Sequence, residues 1–283
     1  IANTGDIAVD GAGSAAVVIN GDSGSLTQAG DLLVTDGATG IVANGTGDEV
    51  KNTGNATVRD RDSVGFVVAG EQNTFSNKGD INVSLNGTGA LVNGNTSQIT
   101  LDGDINVNSA QDSSGIFRGA TGVNVSGDSN AVNLSADYAK EDKIDSGSPL
   151  TGVSVSGNNN DITLDGALNF DVNAQTSATE QIVGLNVNGD NNSVRIDGGI
   201  NVNHNSSEDS NVSITAINID GDSQVILSGQ SSIDTTTIVG GMVTLAEVNN
   251  GGSLILTDAS SIDISAHYVS NYSFTDNALL LAS

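Results

Sequence analysis

Apolar and polar residues alternate in short bursts along this chain, and the bursts recur in a fixed order. One kind reads Gly-x-Φ-x-Φ, with Φ apolar: Gly5-Asp-Ile-Ala-Val9, Gly30-Asp-Leu-Leu-Val34, Gly54-Asn-Ala-Thr-Val58, Gly79-Asp-Ile-Asn-Val83 and Gly103-Asp-Ile-Asn-Val107. The pattern continues at Gly166, Gly198 and Gly229, with Ala136 and Ala259 at the Gly position of two weaker copies. A second kind reads Φ-x-Φ-x-Gly, as in Val123-Asn-Val-Ser-Gly127, Val153-Ser-Val-Ser-Gly157 and Leu185-Asn-Val-Asn-Gly189. After a polar turn comes a third alternation, such as Ile99-Thr-Leu101, Val132-Asn-Leu134 or Val194-Arg-Ile196. Period-two alternation predicts strands, and the Gly, Asn and Asp clusters between them predict turns with positive φ.

Three short strands per repeat cannot bury their apolar sides alone. Stacked coil on coil, they pair in parallel and enclose a narrow core. The expected fold is all-β, a right-handed parallel β-helix of about ten coils with three short strands each. An antiparallel sandwich would need hairpin turns between neighbours and would not repeat three unlike strands in order. The ten starting positions above differ by 25, 24, 25, 24, 33, 30, 32, 31 and 30 residues. One domain over 1–283 is therefore expected, with short-repeat coils over 1–102 and coils with inserted loops over 103–283. The insertions fall between the first and second strands, at 108–121, 139–151, 173–183 and 203–215, and stacking should set them in a wall along one corner.

Outward positions change along the rod. On the second strand they are Val18, Val42, Val67 and Leu91, then Asn124, Ser154, Asn186, Asn218 and Glu247. The four apolar residues form a candidate self-association stripe. On the third strand Lys51, Ser76, Thr100, Asn133, Thr163 and Arg195 give way to Ile226, Ile255 and Leu280. Beside the loop wall, amides line a candidate ligand-binding floor: Asn106, Asn169 and Asn201 on the first strand, Asn124, Asn186 and Asn218 on the second. An amide both donates and accepts, which suits glycan hydroxyls or an extended polypeptide. Asp112, Asp142, Asp145, Glu208 and Asp209 on the loops bias against polyanions, with Arg118, Lys140 and Lys143 as local exceptions.

Composition narrows the function. The 283 residues carry 34 Asp and Glu against 8 Lys and Arg, a formal charge of −26, so no nucleic-acid partner is expected. Cysteine and tryptophan are absent, and aromatics make up 3% of the chain, enough only for a thin core of Val, Ile and Leu. No apolar run approaches ~20 residues, so no membrane span is expected in this fragment. A start at Ile1 suggests an excised or processed piece.

Catalytic chemistry finds little support here. The adjacent carboxylates Glu208/Asp209, Asp142/Asp145 and Asp60/Asp62 fall in polar stretches, with no sign of the dry pocket that glycoside hydrolysis needs. His204 and His267 stand alone, so neither a nucleophile relay nor a His/Cys metal site is expected. Asp6, Asp31, Asp80 and Asp104 read as acceptors of backbone N–H groups at turns rather than as calcium ligands. No metal and no cofactor are expected.

The repeats Gly-Asp-Ile-Asn-Val, Gly-Val-Asn-Val-Ser-Gly-Asp and Ala-Val-Asn-Leu resemble the passenger domain of a Gram-negative autotransporter adhesin, of the self-associating and host-attaching kind similar to the diffuse-adherence adhesin. The resemblance spans all ten coils. It implies a β-helix exported through the outer membrane to the cell surface. Members bind a host extracellular-matrix protein or glycan, or another copy of themselves on a neighbouring cell, promoting aggregation and biofilm. The reading is therefore a non-enzymatic surface adhesin; the alternative is a polysaccharide-active β-helix enzyme such as a lyase, hydrolase or phage depolymerase.

Overall fold

Each alternating segment pairs in parallel with its counterparts one repeat before and one repeat after it. Leu26, Val50, Phe75, Ile99, Val132, Ile162, Val194, Val225 and Leu254 form one continuous ladder through the third strands. Every one of these side chains is buried. The structure, a computed structural model, describes all residues except 109, 115–116, 136–137, 140–149, 173–178, 205–210, 236–241, 258–260, 267–279 and 283. Among the described residues the three faces carry ten strands (first strands), nine (second) and eleven (third), with one small two-stranded sheet besides. This is a parallel β-solenoid, and no helix occurs among the described residues. At a strand spacing of about 4.8 Å, eleven strands give a rod about 48 Å long.

The tube is narrow enough for β-branched and Leu side chains to meet across it. Its largest rings, Phe66 and Phe75, pack with centroids 4.9 Å apart at 49°, an arrangement that suits the aromatic quadrupole. Between the second and third faces, polar side chains turn inward. Asp48, Asn73, Ser97, Asn130, Asn160, Asn192 and Ser223 are all at most 4% exposed. Each accepts the backbone N–H of the equivalent residue one coil earlier, beginning with Gly24, at 2.7–3.1 Å. The Asn130, Asn160 and Asn192 amides donate back to the carbonyls of Gly94, Gly127 and Gly157. This ladder satisfies backbone groups that a buried corner would otherwise orphan.

The motif glycines have a different role from the one expected. Gly30, Gly54, Gly79 and Gly103 are not among the residues with positive φ. They stack in a column, and a Cβ on any of them would overlap the carbonyl of the glycine one coil earlier. Gly45, Gly70, Gly94, Gly127, Gly157 and Gly189 form a second such column. Close approach of coils excludes a side chain there. Positive φ falls, as expected, on other Gly, Asn and Asp residues of the turns, such as Gly37, Gly47, Asp60, Asn86 and Gly221, and on Gln72, Thr96, Ser129, Asn159 and Asn191, these five each immediately before a buried rung. Asp6, Asp31 and Asp80 accept the backbone N–H of the next coil, as their positions suggested, and Asn55 does the same between Asp31 and Asp80.

Two further expectations are corrected. Much of the inserted length lengthens strands: the second strands grow from Thr88–Val92 to Thr179–Val187 and Asn211–Asp220, pairing from Thr179↔Asn211 onward. On the third face Leu280 pairs with Leu254, so it is Leu281 that falls in register with Ile226 and Ile255.

Candidate functional site

The outward residues of the second face form one unbroken ladder. Val18, Val42, Val67, Leu91, Asn124, Ser154, Asn186, Asn218 and Glu247 pair in that order, coil to coil. Val18 is 45% exposed; Val42, Val67 and Leu91 are half-buried, flanked by neighbours on the same pleat. The four strands bearing them, Ala15–Ile19, Thr39–Ala43, Val64–Val68 and Thr88–Val92, contain no charged residue. On a rod of charge −26 this is an uncharged window of about 14 Å by 17 Å.

The amides expected to line a floor are half-buried and engage one another. Asn106 donates to Asn82 at 3.1 Å, Asn201 to Asn169 at 2.8 Å and Asn218 to Asn186 at 2.8 Å. Ser232 donates to Asn201 at 2.9 Å. Asn124 stacks between Leu91 and Ser154. Such ladders stabilise the stack, and each amide retains a further donor or acceptor for an outside ligand.

A concavity of about 590 Å³ opens at the corner between the first and second faces. Its floor comes from tight turns in three successive coils: Asp36, then Asp60 and Arg61, then Leu85 and Asn86. Its roof is the fifth coil's insertion, which places Gln111, Asp112, Ser113 and Arg118 over those turns. Ala110–Gln111 and Phe117–Arg118 pair as a small antiparallel hairpin. Two contacts brace the hairpin internally and one ties it to the floor. Asp112 accepts the Ser114 N–H at 2.8 Å, it pairs with the Arg118 Nε at 3.1 Å, and Asn86 N–H donates to the Gly119 carbonyl at 2.5 Å. Asp36, Asp60, Leu85 and Asn86 all have positive φ, which Asp and Asn tolerate and Leu does not. For Leu85 that costs about 1–2 kcal/mol relative to ordinary backbone.

This concavity was not anticipated as a site. Of its residues only Asp112 and Arg118 were named as ligand-binding, and here they pair with each other. The remaining signal in the sequence was the clustering of Arg59, Arg61 and Arg118, three of the chain's four arginines, near one corner. Asp142, Asp145, Glu208 and Asp209 lie outside the described residues. Elsewhere, Arg195 on the third face grips both oxygens of Asp197 at 2.7 and 2.8 Å, and Ser228 also donates to Asp197. The guanidinium bond holds the Asp197 carboxyl below its usual range, against a smaller opposing effect of burial.

Fold and surface together define a parallel β-solenoid rod with an uncharged window and a polar corner concavity. The chain is similar to a Salmonella typhimurium protein named "Putative surface-exposed virulence protein BigA". The two are 63% identical over 225 residues, covering 65% of this chain. The chain spans about a tenth of that relative's length. No family model matches the chain, and no solved structure matches it.

Proposed function

We propose that this chain is part of a non-enzymatic adhesin on a bacterial surface, an autotransporter-type passenger exported through the outer membrane. Its contacts are a second copy on a neighbouring cell, or a host matrix protein or glycan. The observation that carries this reading is the in-register uncharged ladder Val18–Val42–Val67–Leu91 on an acidic rod. The relative's name supports a surface location, and the resemblance to adhesin passengers supports the activity.

Magnitudes fix what kind of contact this is. A window of about 240 Å² falls well short of the ~800 Å² per partner of a stable interface. One pair of rods therefore associates weakly, and adhesion comes from many rods acting together. Self-repulsion of the −26 rods is screened by salt, so association strengthens as ionic strength rises. Sedimentation equilibrium of the chain at low and high salt tests this. A salt-promoted dimer that Val42→Ser with Val67→Ser abolishes is expected; a monomer at high salt and high concentration overturns it.

One observation favours a second reading. The corner concavity brings Asp36, Asp60 and Asp112 together with Arg61 and Arg118, a mixed cluster of the kind a polysaccharide-active enzyme needs. Against catalysis, Asp36 is exposed, Asp60 and Asp112 are half-buried, and Arg118 is held by Asp112. Incubation with neutral and anionic polysaccharides, followed by assay of new reducing or unsaturated ends, separates the two readings. No new ends are expected.

A further inference from the structure

We infer that the corner concavity is a binding site for neutral, hydroxyl-rich saccharides. The inference deepens the adhesin reading, but it rests on different residues from the uncharged window. The cavity is a built feature. Turns of three coils form its floor, and a hairpin inserted in a fourth lies over them, tied to the floor by the Asn86–Gly119 bond and braced internally by the Asp112–Arg118 pair. On that floor Leu85, a bulky side chain at positive φ, is held in an unfavourable conformation.

Its volume, about 590 Å³, lies within the ~300–1,000 Å³ range of small-molecule sites. Its chemistry is unusual for such a site because apolar surface is scarce. Three carboxylates, two guanidinium groups, two carboxamides and a hydroxyl surround one Leu. Planar carboxylate, amide and guanidinium groups offer paired donors or acceptors, the complement of adjacent sugar hydroxyls. Leu85 supplies an apolar patch for the C–H face of a ring. An apolar ligand would strand these polar groups without partners.

Charge selects among saccharides. Three carboxylates against two arginines leave the lining at −1, inside a chain of −26. A uronate or sulfate polymer meets repulsion from the whole rod. Arg61, its side chain 83% exposed, pairs with Asp62 at 3.6 Å in solvent, where such a pair is weak, whereas Arg118 pairs with Asp112 at 3.1 Å in a less exposed setting.

The test is an array of neutral and anionic oligosaccharides probed with the intact chain, followed by titration of any neutral glycan retained. The expected result is retention of neutral glycans over heparin and polygalacturonate. Arg61→Ala with Gln111→Ala, two exposed positions, should weaken retention at least tenfold without altering the β-sheet spectrum. Val42→Ser with Val67→Ser should leave it unchanged while abolishing self-association, so failure of one idea is distinguishable from failure of the other. Retention of polyanions alone, of nothing, or of neutral glycans equally by wild type and the Arg61/Gln111 variant overturns the inference. New reducing ends that the same variant suppresses would uphold the saccharide site and overturn the non-enzymatic reading.

Discussion

Asn160 is a middle rung of the buried polar ladder, and its removal should be among the most damaging changes in the rod. Its Oδ1 accepts the Asn130 N–H at 2.8 Å, and its Nδ2 donates to the Gly127 carbonyl at 3.0 Å and to Asn192 Oδ1 at 3.1 Å. The side chain is 1% exposed, so no water replaces these bonds. Asn160→Ala orphans two backbone groups at about 1–3 kcal/mol each, an expected loss of about 2–6 kcal/mol. Asn160→Leu fills the volume but leaves the same two orphans, and should cost as much. Asn160→Ser should cost about 1 kcal/mol, because Ser223 on the same ladder already accepts the Asn192 N–H and donates to the Gly189 carbonyl. Solenoids open coil by coil, so hydrogen exchange is the direct assay. A loss of about 2 kcal/mol speeds exchange of the Asn130 amide about 30-fold, with a matching fall in the urea midpoint. Ala and Leu variants within about 0.5 kcal/mol of wild type would refute the ladder's role.

Gly157→Ala sets a Cβ into the Gly127 carbonyl and should cost several kcal/mol, whereas Gly21→Ala, with nothing within 4 Å, should be neutral or stabilise by up to about 1 kcal/mol; thermal melts compare them. Leu85→Gly relieves about 1–2 kcal/mol of left-handed strain but gives up chain stiffness and a half-buried side chain, so stability should change by less than about 1 kcal/mol while retention on a glycan array weakens. Asp197 has its carboxyl lowered by Arg195, so the pair's stabilisation is full above the ordinary carboxylate pKa and lost as pH falls through the depressed one. The stability gap between wild type and Arg195→Ala should therefore narrow in acid; a gap that widens in acid contradicts the assignment.

The strands and their register were legible in the sequence because one pattern repeats at fixed spacing. A register slip would turn Val50, Phe75 and Ile99 outward together. The buried ladder also left a signature, Gly-x-x-Asn or Gly-x-x-Ser, at Gly70–Asn73, Gly94–Ser97, Gly127–Asn130, Gly157–Asn160 and Gly189–Asn192. It passed for an ordinary polar turn because composition cannot tell an inward amide from an outward one. The glycines of the two columns were misread for a similar reason: close approach and positive φ both demand glycine, and only coil-to-coil contact separates the two. The corner concavity was illegible. Its roof folds back over turns of three earlier coils, a tertiary contact that no local pattern encodes. The outward ladder from Val18 to Glu247 was read correctly because stacking follows from the repeat length alone.

The central claim, adhesion through the uncharged N-terminal window, is tested most directly on beads densely coated with the chain, which restore the many simultaneous contacts that one pair of rods lacks. Beads bearing the wild type should stay dispersed at low salt and clump at high salt, and beads bearing Val42→Ser with Val67→Ser should stay dispersed at both. Clumping that the double variant leaves intact, or dispersal of wild-type beads at every salt concentration, would contradict the account.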